Sequence, residues 1–294
     1  MRVFVTGASG WVGSAVVPEL LGAGHSVLAL ARSDGSAAKL TAVGAEVLRG
    51  DLDDLDVLRR AAGECDGVIH LAFVHDFSRF EESIATDRRV IETLGSALEG
   101  SGRPLVVTGG TPAVPGRMAT EGDSAAPDSP AAGRDANCAA ALAFAQRGVR
   151  ACAVRLPRVV HGEGDRHGFI PRLIATARAN AVSGYVGDGA NRWPTVHVLD
   201  AGRLFRLAAE LARAGSVLHA VGDEGVPILE IAEVVGARLA LPVAARPAAD
   251  FGFLGPLLSI DQPASAEYTE ELLGWQPIQP NLIEDLDKDH YFAE

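Results

Sequence analysis

Short apolar runs alternate with amphipathic stretches along the first half of the chain. Val3-Phe4-Val5 opens the pattern, followed by a helical stretch over residues 11–21, an apolar run at 25–31, a helix over 36–43 and a run at 46–49. A helix over 54–62 and a run at 67–71 come next. A longer helix is predicted over 79–98, where Ile84, Val90, Ile91, Leu94 and Leu98 recur at near-helical spacing and define a buried face. Its charged neighbours Glu81, Glu82, Asp87, Arg88 and Arg89 read as a solvated or subunit-facing surface. Runs at 104–108 and 150–155 flank a helix over 131–146 that stops at Gly148. Strands of four to seven residues alternating with helices, joined by short Gly/Asp turns, predict an α/β fold with a doubly wound parallel sheet.

One stretch breaks this rhythm. From Gly109 to Pro130 the chain turns to Gly, Pro, Ala and acidic residues without periodicity, which predicts a functional loop such as a lid. Beyond it, the pattern predicts a helix over 169–179, two short strands around Gly187-Asp188-Gly189, a helix over 200–213, a strand at 217–220, and helices over 228–239 and 265–273. Residues 242–256 are too irregular to assign. The expected organisation is a dinucleotide-binding domain over 1–160, rejoined by 198–220, with 161–197 and 221–294 forming a smaller substrate-binding subdomain.

The turn after the first apolar run carries the strongest chemical signal. Thr6-Gly7-Ala8-Ser9-Gly10-Trp11-Val12-Gly13 sets three glycines three apart between a strand and a helix, the setting of a nucleotide-phosphate cradle. Gly7 suits the sharp turn, Gly10 the approach of a pyrophosphate, and Gly13 close helix–sheet packing, while the helix N-terminus favours the phosphate charge. Thr6, Ser9, Trp11 and Val12 complete the expected cofactor loop. The second strand ends in Ala31-Arg32-Ser33 rather than in an acid, so Arg32 and Ser33 favour the 2′-phosphate of NADP(H); Asp34 lies close enough to keep NAD(H) as the alternative. Ligands in such sheets sit at strand carboxyl ends, which marks Asp51-Leu52, Leu71-Ala72-Phe73 and Thr108-Gly109 as the cofactor rim. His75 leaves the fourth strand between aromatic residues, as a candidate acid or base, and Phe77 is a candidate pocket-lining residue.

Composition narrows the partners. The 294 residues are 48% hydrophobic and 22% charged, as in globular proteins, with a net charge of −12 that disfavours nucleic acid and anionic membranes. A small-molecule substrate is expected. The apolar runs are far short of a membrane span, the start resembles no signal peptide, and Cys65, Cys138 and Cys152 show neither disulfide nor metal spacing, so a cytoplasmic location and no metal are expected.

Several of these stretches together resemble the extended and atypical short-chain dehydrogenase/reductases, the NAD(P)-dependent epimerase/dehydratase superfamily with its Rossmann-type sheet. The resemblance rests on Thr6-Gly7-x-x-Gly10-x-x-Gly13, Gly50-Asp51-Leu52, Val68-Ile69-His70-Leu71-Ala72, the strand ending in Thr108, Val154-Arg155-Leu156-Pro157, and Arg192 to Asp200. It implies that Asp51 and Leu52 contact adenine, that Ala72 lies along a ribose, and that Leu156, Pro157, Arg158 and Val159 edge the nicotinamide. The superfamily's chemistry centres on a Ser/Thr and a Tyr-x-x-x-Lys pair. Thr108 fits the first, but Arg134 and Cys138 stand at the tyrosine and lysine positions. Arginine cannot act as a proton donor, with a pKa above about 12, although it can polarise a carbonyl. His161, in place of the tyrosine of a common Tyr-Gly turn, and His75 are the remaining candidates, with water as a third source. The resemblance also implies that Arg192 clasps a substrate anion, with Phe169 and Trp193 beside it. A homodimer through two long helices is common in the superfamily. The expected function is an NADP(H)-dependent oxidoreductase of a small carbonyl or alcohol compound; the alternatives are a nucleotide-sugar-type epimerase/dehydratase and a non-catalytic NADP-binding sensor.

Overall fold

The computed structural model describes residues 1–74 and 79–293. Its first half runs β1 (Arg2–Thr6), α1 (Gly13–Gly22), β2 (Ser26–Ala31), α2 (Asp34–Ala42), β3 (Glu46–Arg49), α3 (Leu55–Glu64), β4 (Gly67–His70), α4 (Phe80–Ala97), β5 (Pro104–Gly110), α5 (Ala132–Ala143) and β6 (Arg150–Leu156). The second half adds β7 (Val159–His161), α6 (Phe169–Asn180), β8 (Ser183–Tyr185), β9 (Arg192–His197), α7 (Val198–Leu211), β10 (Val217–His219), β11 (Asp223–Pro227), α8 (Ile228–Leu239), β12 (Val243–Ala245), α9 (Leu254–Leu258), α10 (Glu267–Leu273) and α11 (Leu282–Leu286).

Seven strands form one parallel sheet in the order β10-β6-β5-β4-β1-β2-β3. Because successive side chains of a strand point to opposite faces, β1 sends Val3 and Val5 to one core and Phe4 to the other. Residues of β5 and β6 divide in the same way: Val106, Cys152 and Val154 join the first core, and Leu105, Val107, Ala151 and Ala153 the second. Helices α1 and α7 supply the first core, and α3, α4 and α5 the second. Chain order reverses at β1, with β2 on one side and β4 on the other, so the binding crevice opens above the carboxyl ends of these two strands.

The smaller part has its own core, including Val159, Ile170, Trp193, Ile228, Phe251 and Leu282. There β11, β9 and β7 form a three-stranded sheet and β12 pairs with β8. The two strands around Gly187-Asp188-Gly189 therefore do not form a hairpin; each pairs elsewhere. The irregular stretch 242–256 holds β12 and the start of α9.

Two further differences matter for the site. The segment 109–130 is held down: Ala119 N–H donates to Pro263 O at 2.9 Å, Ser265 N–H donates to Ala119 O at 2.8 Å, and the buried Glu121 accepts from the backbone and hydroxyl of Thr269 at 2.9 and 2.6 Å. That stretch has a strand-like seam where a lid was expected. Ala264, Ala266, Leu273 and Trp275 belong to the main-sheet core although the pattern assigns them to the smaller subdomain.

Trp275 is fully buried, and its indole N–H donates to Asp200 O at 3.1 Å, which ties the C-terminal return to the start of α7. Trp275→Ala leaves a large cavity there and is expected to destabilise the protein by about 3–5 kcal/mol in urea denaturation. A loss below about 1 kcal/mol would show that this packing contributes little.

Candidate dinucleotide site

The loop between β1 and α1 has the geometry of an anion cradle. Gly7 sits at φ +69°, and a Cβ added there would lie 2.6 Å from Ala72 N. At Gly13 a Cβ would lie 2.3 Å from Gly7 O. Any side chain would thus fill the cradle or break the turn. Gly10 N–H donates to Gly7 O at 3.0 Å, while the amides of Trp11 and Val12 find no acceptor among the described residues. These free donors and the start of α1 suit a pyrophosphate. Ser9 is exposed on the loop, and the half-buried Trp11 donates its indole N–H to Val160 O at 2.9 Å, pinning the cradle to β7. The residues present therefore fit a dinucleotide.

Arg32 and Ser33 are exposed beyond β2. Ser33 caps α2 by accepting from Ser36 N–H at 3.2 Å. Asp34, the nearest acid, is 3.0 Å from the Arg49 guanidinium, and Arg32 makes no ion pair among the described residues. Asp51 and Leu52 are half-buried at the start of the turn into α3, and the Asp51 carboxylate accepts from Asp53 N–H at 3.2 Å.

At the floor of the crevice the polar groups form one chain. Ala72 N–H donates to Thr6 Oγ1 at 3.4 Å, Thr6 Oγ1 lies 2.6 Å from His70 Nδ1, and His70 Nε2 lies 3.2 Å from Asp87 Oδ1. With the proton on His70 Nε2, every donor in this chain meets an acceptor. Thr6 is fully buried, so its hydroxyl serves this chain. The other Asp87 oxygen accepts from Asn137 Nδ2 at 2.6 Å and pairs with Arg134 Nη1 at 3.1 Å. Burial opposes ionisation of Asp87, but the His70 hydrogen bond and the charge of Arg134 outweigh it and hold the carboxyl below its usual range. Asp87, expected on a solvated surface, is 3% exposed. Helical spacing places it between the α4 core and the polar side, where only a buried partner distinguishes the two.

Arg134 is spent in this network. Its second terminal nitrogen donates to Thr108 O at 2.8 Å, and its guanidinium lies 4.0 Å from the centre of the Phe73 ring. Thr108 itself is half-buried at the end of β5 and donates its hydroxyl to His70 O at 2.8 Å. Cys138 is packed against Gly109, and burial pushes its thiol up to about 11, so it stays neutral near pH 7. Thr6, Ala72, Phe73, Thr108 and Arg134 are brought together; Leu71 is half-buried beside them. His75 and Phe77 lie outside the described residues.

The remaining candidates stand apart. Leu156 O accepts from Thr111 N–H at 2.9 Å, with Pro157 and Val159 buried after it. His161, expected to face a substrate, is fully buried with Nδ1 3.0 Å from Asp285 Oδ2, so α11 covers it. Burial pushes the phenol of Tyr291 up, and it accepts from Gly162 N–H at 3.1 Å in the same packing. Arg192, expected to clasp a substrate anion, is paired with Asp261 through Nε at 3.1 Å and Nη2 at 2.8 Å. Trp193 is fully buried under Phe169, their ring centres 5.8 Å apart, and so belongs to the core. Among the described residues no helix is long and apolar enough to cross a membrane.

Comparison with known proteins agrees with this geometry. The chain is 48% identical over 298 residues to an uncharacterized protein of Schizosaccharomyces pombe, covering 99% of this chain and 100% of that one. It is 29% identical over 263 residues to the 2-alkyl-3-oxoalkanoate reductase of Stenotrophomonas maltophilia, covering 82% and 77%. Among solved structures it resembles MoeE5 in complex with UDP-glucose and NAD, with a TM-score of 0.79, 25% identity, and 100% and 98% coverage. The model of the NAD dependent epimerase/dehydratase family matches residues 3–221. A match over that span, on a seven-stranded parallel sheet with its glycine cradle intact, means that the chain belongs to the NAD dependent epimerase/dehydratase family of extended short-chain dehydrogenase/reductases.

Proposed function

We propose that the protein is an NADP(H)-dependent reductase of small carbonyl compounds. The observation that carries this reading is the glycine cradle together with an Arg32, just beyond β2, that makes no ion pair among the described residues, Asp34 being paired with Arg49. A reductase among its relatives, named for an oxo acid, supports the reaction class. A nicotinamide dinucleotide, when bound, supplies hydride chemistry. The chain supplies position and charge. Gly7 to Gly13 hold the pyrophosphate, Arg32 the 2′-phosphate, and Leu156 and Pro157 border the nicotinamide. Thr108 offers its hydroxyl to the substrate oxygen once that hydroxyl turns from His70 O. Arg134 fixes Thr108 and Phe73 in place without passing a proton, and the proton comes from a source other than tyrosine. The proposed organisation is a dinucleotide-binding part over 1–160 and 198–220, with 264–275 packed on its sheet, and a substrate-binding part made of the rest.

The reading is tested by NADPH consumption across a panel of small ketones, aldehydes and oxo acids. Tight NADPH binding without turnover of any of them would favour a non-catalytic sensor. Arg32→Ala is expected to weaken NADPH binding about tenfold and leave NADH binding unchanged, as measured by calorimetry. Equal effects on both cofactors would remove Arg32 from recognition of the 2′-phosphate. Thr108→Val is expected to lower turnover about 10²-fold with NADPH affinity retained; an unchanged rate would leave Thr108 without a chemical role.

Asp87 makes a pH-dependent contribution. Its carboxyl is held below the usual range in the folded state, so its stabilisation is complete above the unfolded value of about 3.9 and is lost as pH falls through the lower folded value. Asp87→Asn leaves Arg134 without its buried partner and is expected to cost about 3–5 kcal/mol at neutral pH. The same variant should lose less further stability below about pH 4 than the natural chain does. Parallel pH profiles in urea denaturation would contradict this assignment.

A further inference from the structure

Arg158 lies two residues beyond the end of β6, and its guanidinium is incompletely partnered. One terminal nitrogen donates to the side-chain oxygen of Gln262, whereas the buried Nε meets no acceptor. No Asp or Glu among the described residues pairs with it. Other shielded arginines have a carboxylate or backbone carbonyls at their terminal nitrogens: Arg134 meets Asp87, Arg155 meets Asp135 although its Nε is also without an acceptor, Arg206 meets Glu19 and Glu210, and Arg150 donates to two backbone carbonyls. Arg158 is half-buried, and a guanidinium whose Nε is shut off from water, with one neutral partner, is costly. Burial alone lowers the pKa of Arg158 to about 10.

Its surroundings place Arg158 beside the crevice. Gln262 Nε2 donates to Thr111 O at 2.6 Å, and Thr111 N–H donates to Leu156 O, which fixes the Arg158 partner to the ends of β5 and β6. The indole of Trp11 reaches Val160 O at 2.9 Å, joining the same segment to the phosphate cradle. The Trp193 ring centre is 6.0 Å from the guanidinium carbon and backs it with apolar surface. Gln262 is 5% exposed and Thr111 4%, so this is a built site.

We propose that Arg158 receives a carboxylate of the substrate, which makes the substrate a small oxo acid. The carbonyl part of this assignment rests on the reductase reading; the anion part does not. A carboxylate accepts two parallel N–H bonds from a guanidinium, and here Gln262 and Trp193 hold the fork. Arg192, the arginine first expected in this role, already has Asp261 in that position.

The test titrates the NADPH-saturated protein by calorimetry with butanoate, butanamide and inorganic phosphate. Butanoate is expected to bind at one site per chain, at least about tenfold more tightly than butanamide or phosphate. Arg158→Gln should weaken butanoate about tenfold or more, with NADPH binding retained as the check on folding. Gln262→Glu gives Arg158 an internal counter-ion and should weaken butanoate to a similar degree even if Arg158→Gln does not fold. Equal affinity for acid and amide, tighter binding of phosphate, or butanoate affinity unchanged in Gln262→Glu would overturn the assignment. Arg158-dependent butanoate binding without turnover of any oxo acid would remove the reductase reading and keep the anion site. Oxo acids reduced equally well by a folded Arg158→Gln would do the reverse.

Discussion

The site depends on one buried carboxylate. Asp87 accepts from His70, Asn137 and Arg134, and so joins β4, α4 and α5 at the floor of the crevice. Through His70 it reaches Thr6 at the end of β1, and through Arg134 it reaches Thr108 at the end of β5. Breaking a buried, hydrogen-bonded ion pair leaves an uncompensated charge, which costs far more than the pair contributes net. This constraint gives Arg134 a structural task at the head of α5. Arg134 is a structural member of the floor, with both terminal nitrogens engaged and the Phe73 ring against its guanidinium.

The fold was largely legible in the sequence because its information is local. Apolar runs, helical spacing and Gly/Asp turns carry strand and helix periodicity, and β3 and α8 begin and end where the pattern predicts. What escaped was set by partners distant in sequence. The two strands around Gly187-Asp188-Gly189 are visible in the pattern, but their partners are not: β8 takes β12, and β9 takes β7 and β11. The segment 109–130 has a loop's composition, but residues 263–269 hold it. Nothing within positions 109–130 announces that partner.

The same division holds for the site. The glycine cradle and Arg32 are contiguous motifs and could be read directly. Asp87 could not, because an acid flanked by Arg88 and Arg89 looks solvated until His70, Arg134 and Asn137 surround it. Arg158 and Arg192 show the converse. Arg192 was the arginine expected to meet an anion, and only the location of Asp261 and Gln262 separates it, a satisfied cation, from Arg158. His161 was drawn toward the chemistry by its place after Leu156-Pro157, whereas α11 covers it with Asp285.

The central claim is an intact dinucleotide cradle above a floor in which Arg134 serves structure. A crystal structure of the chain with NADPH and an oxo acid measures it most directly. The predicted result is a pyrophosphate over Gly7 to Gly13 with the Arg134 guanidinium still on Asp87 and out of reach of the reacting oxygen. Arg134 turned from Asp87 onto that oxygen would contradict it.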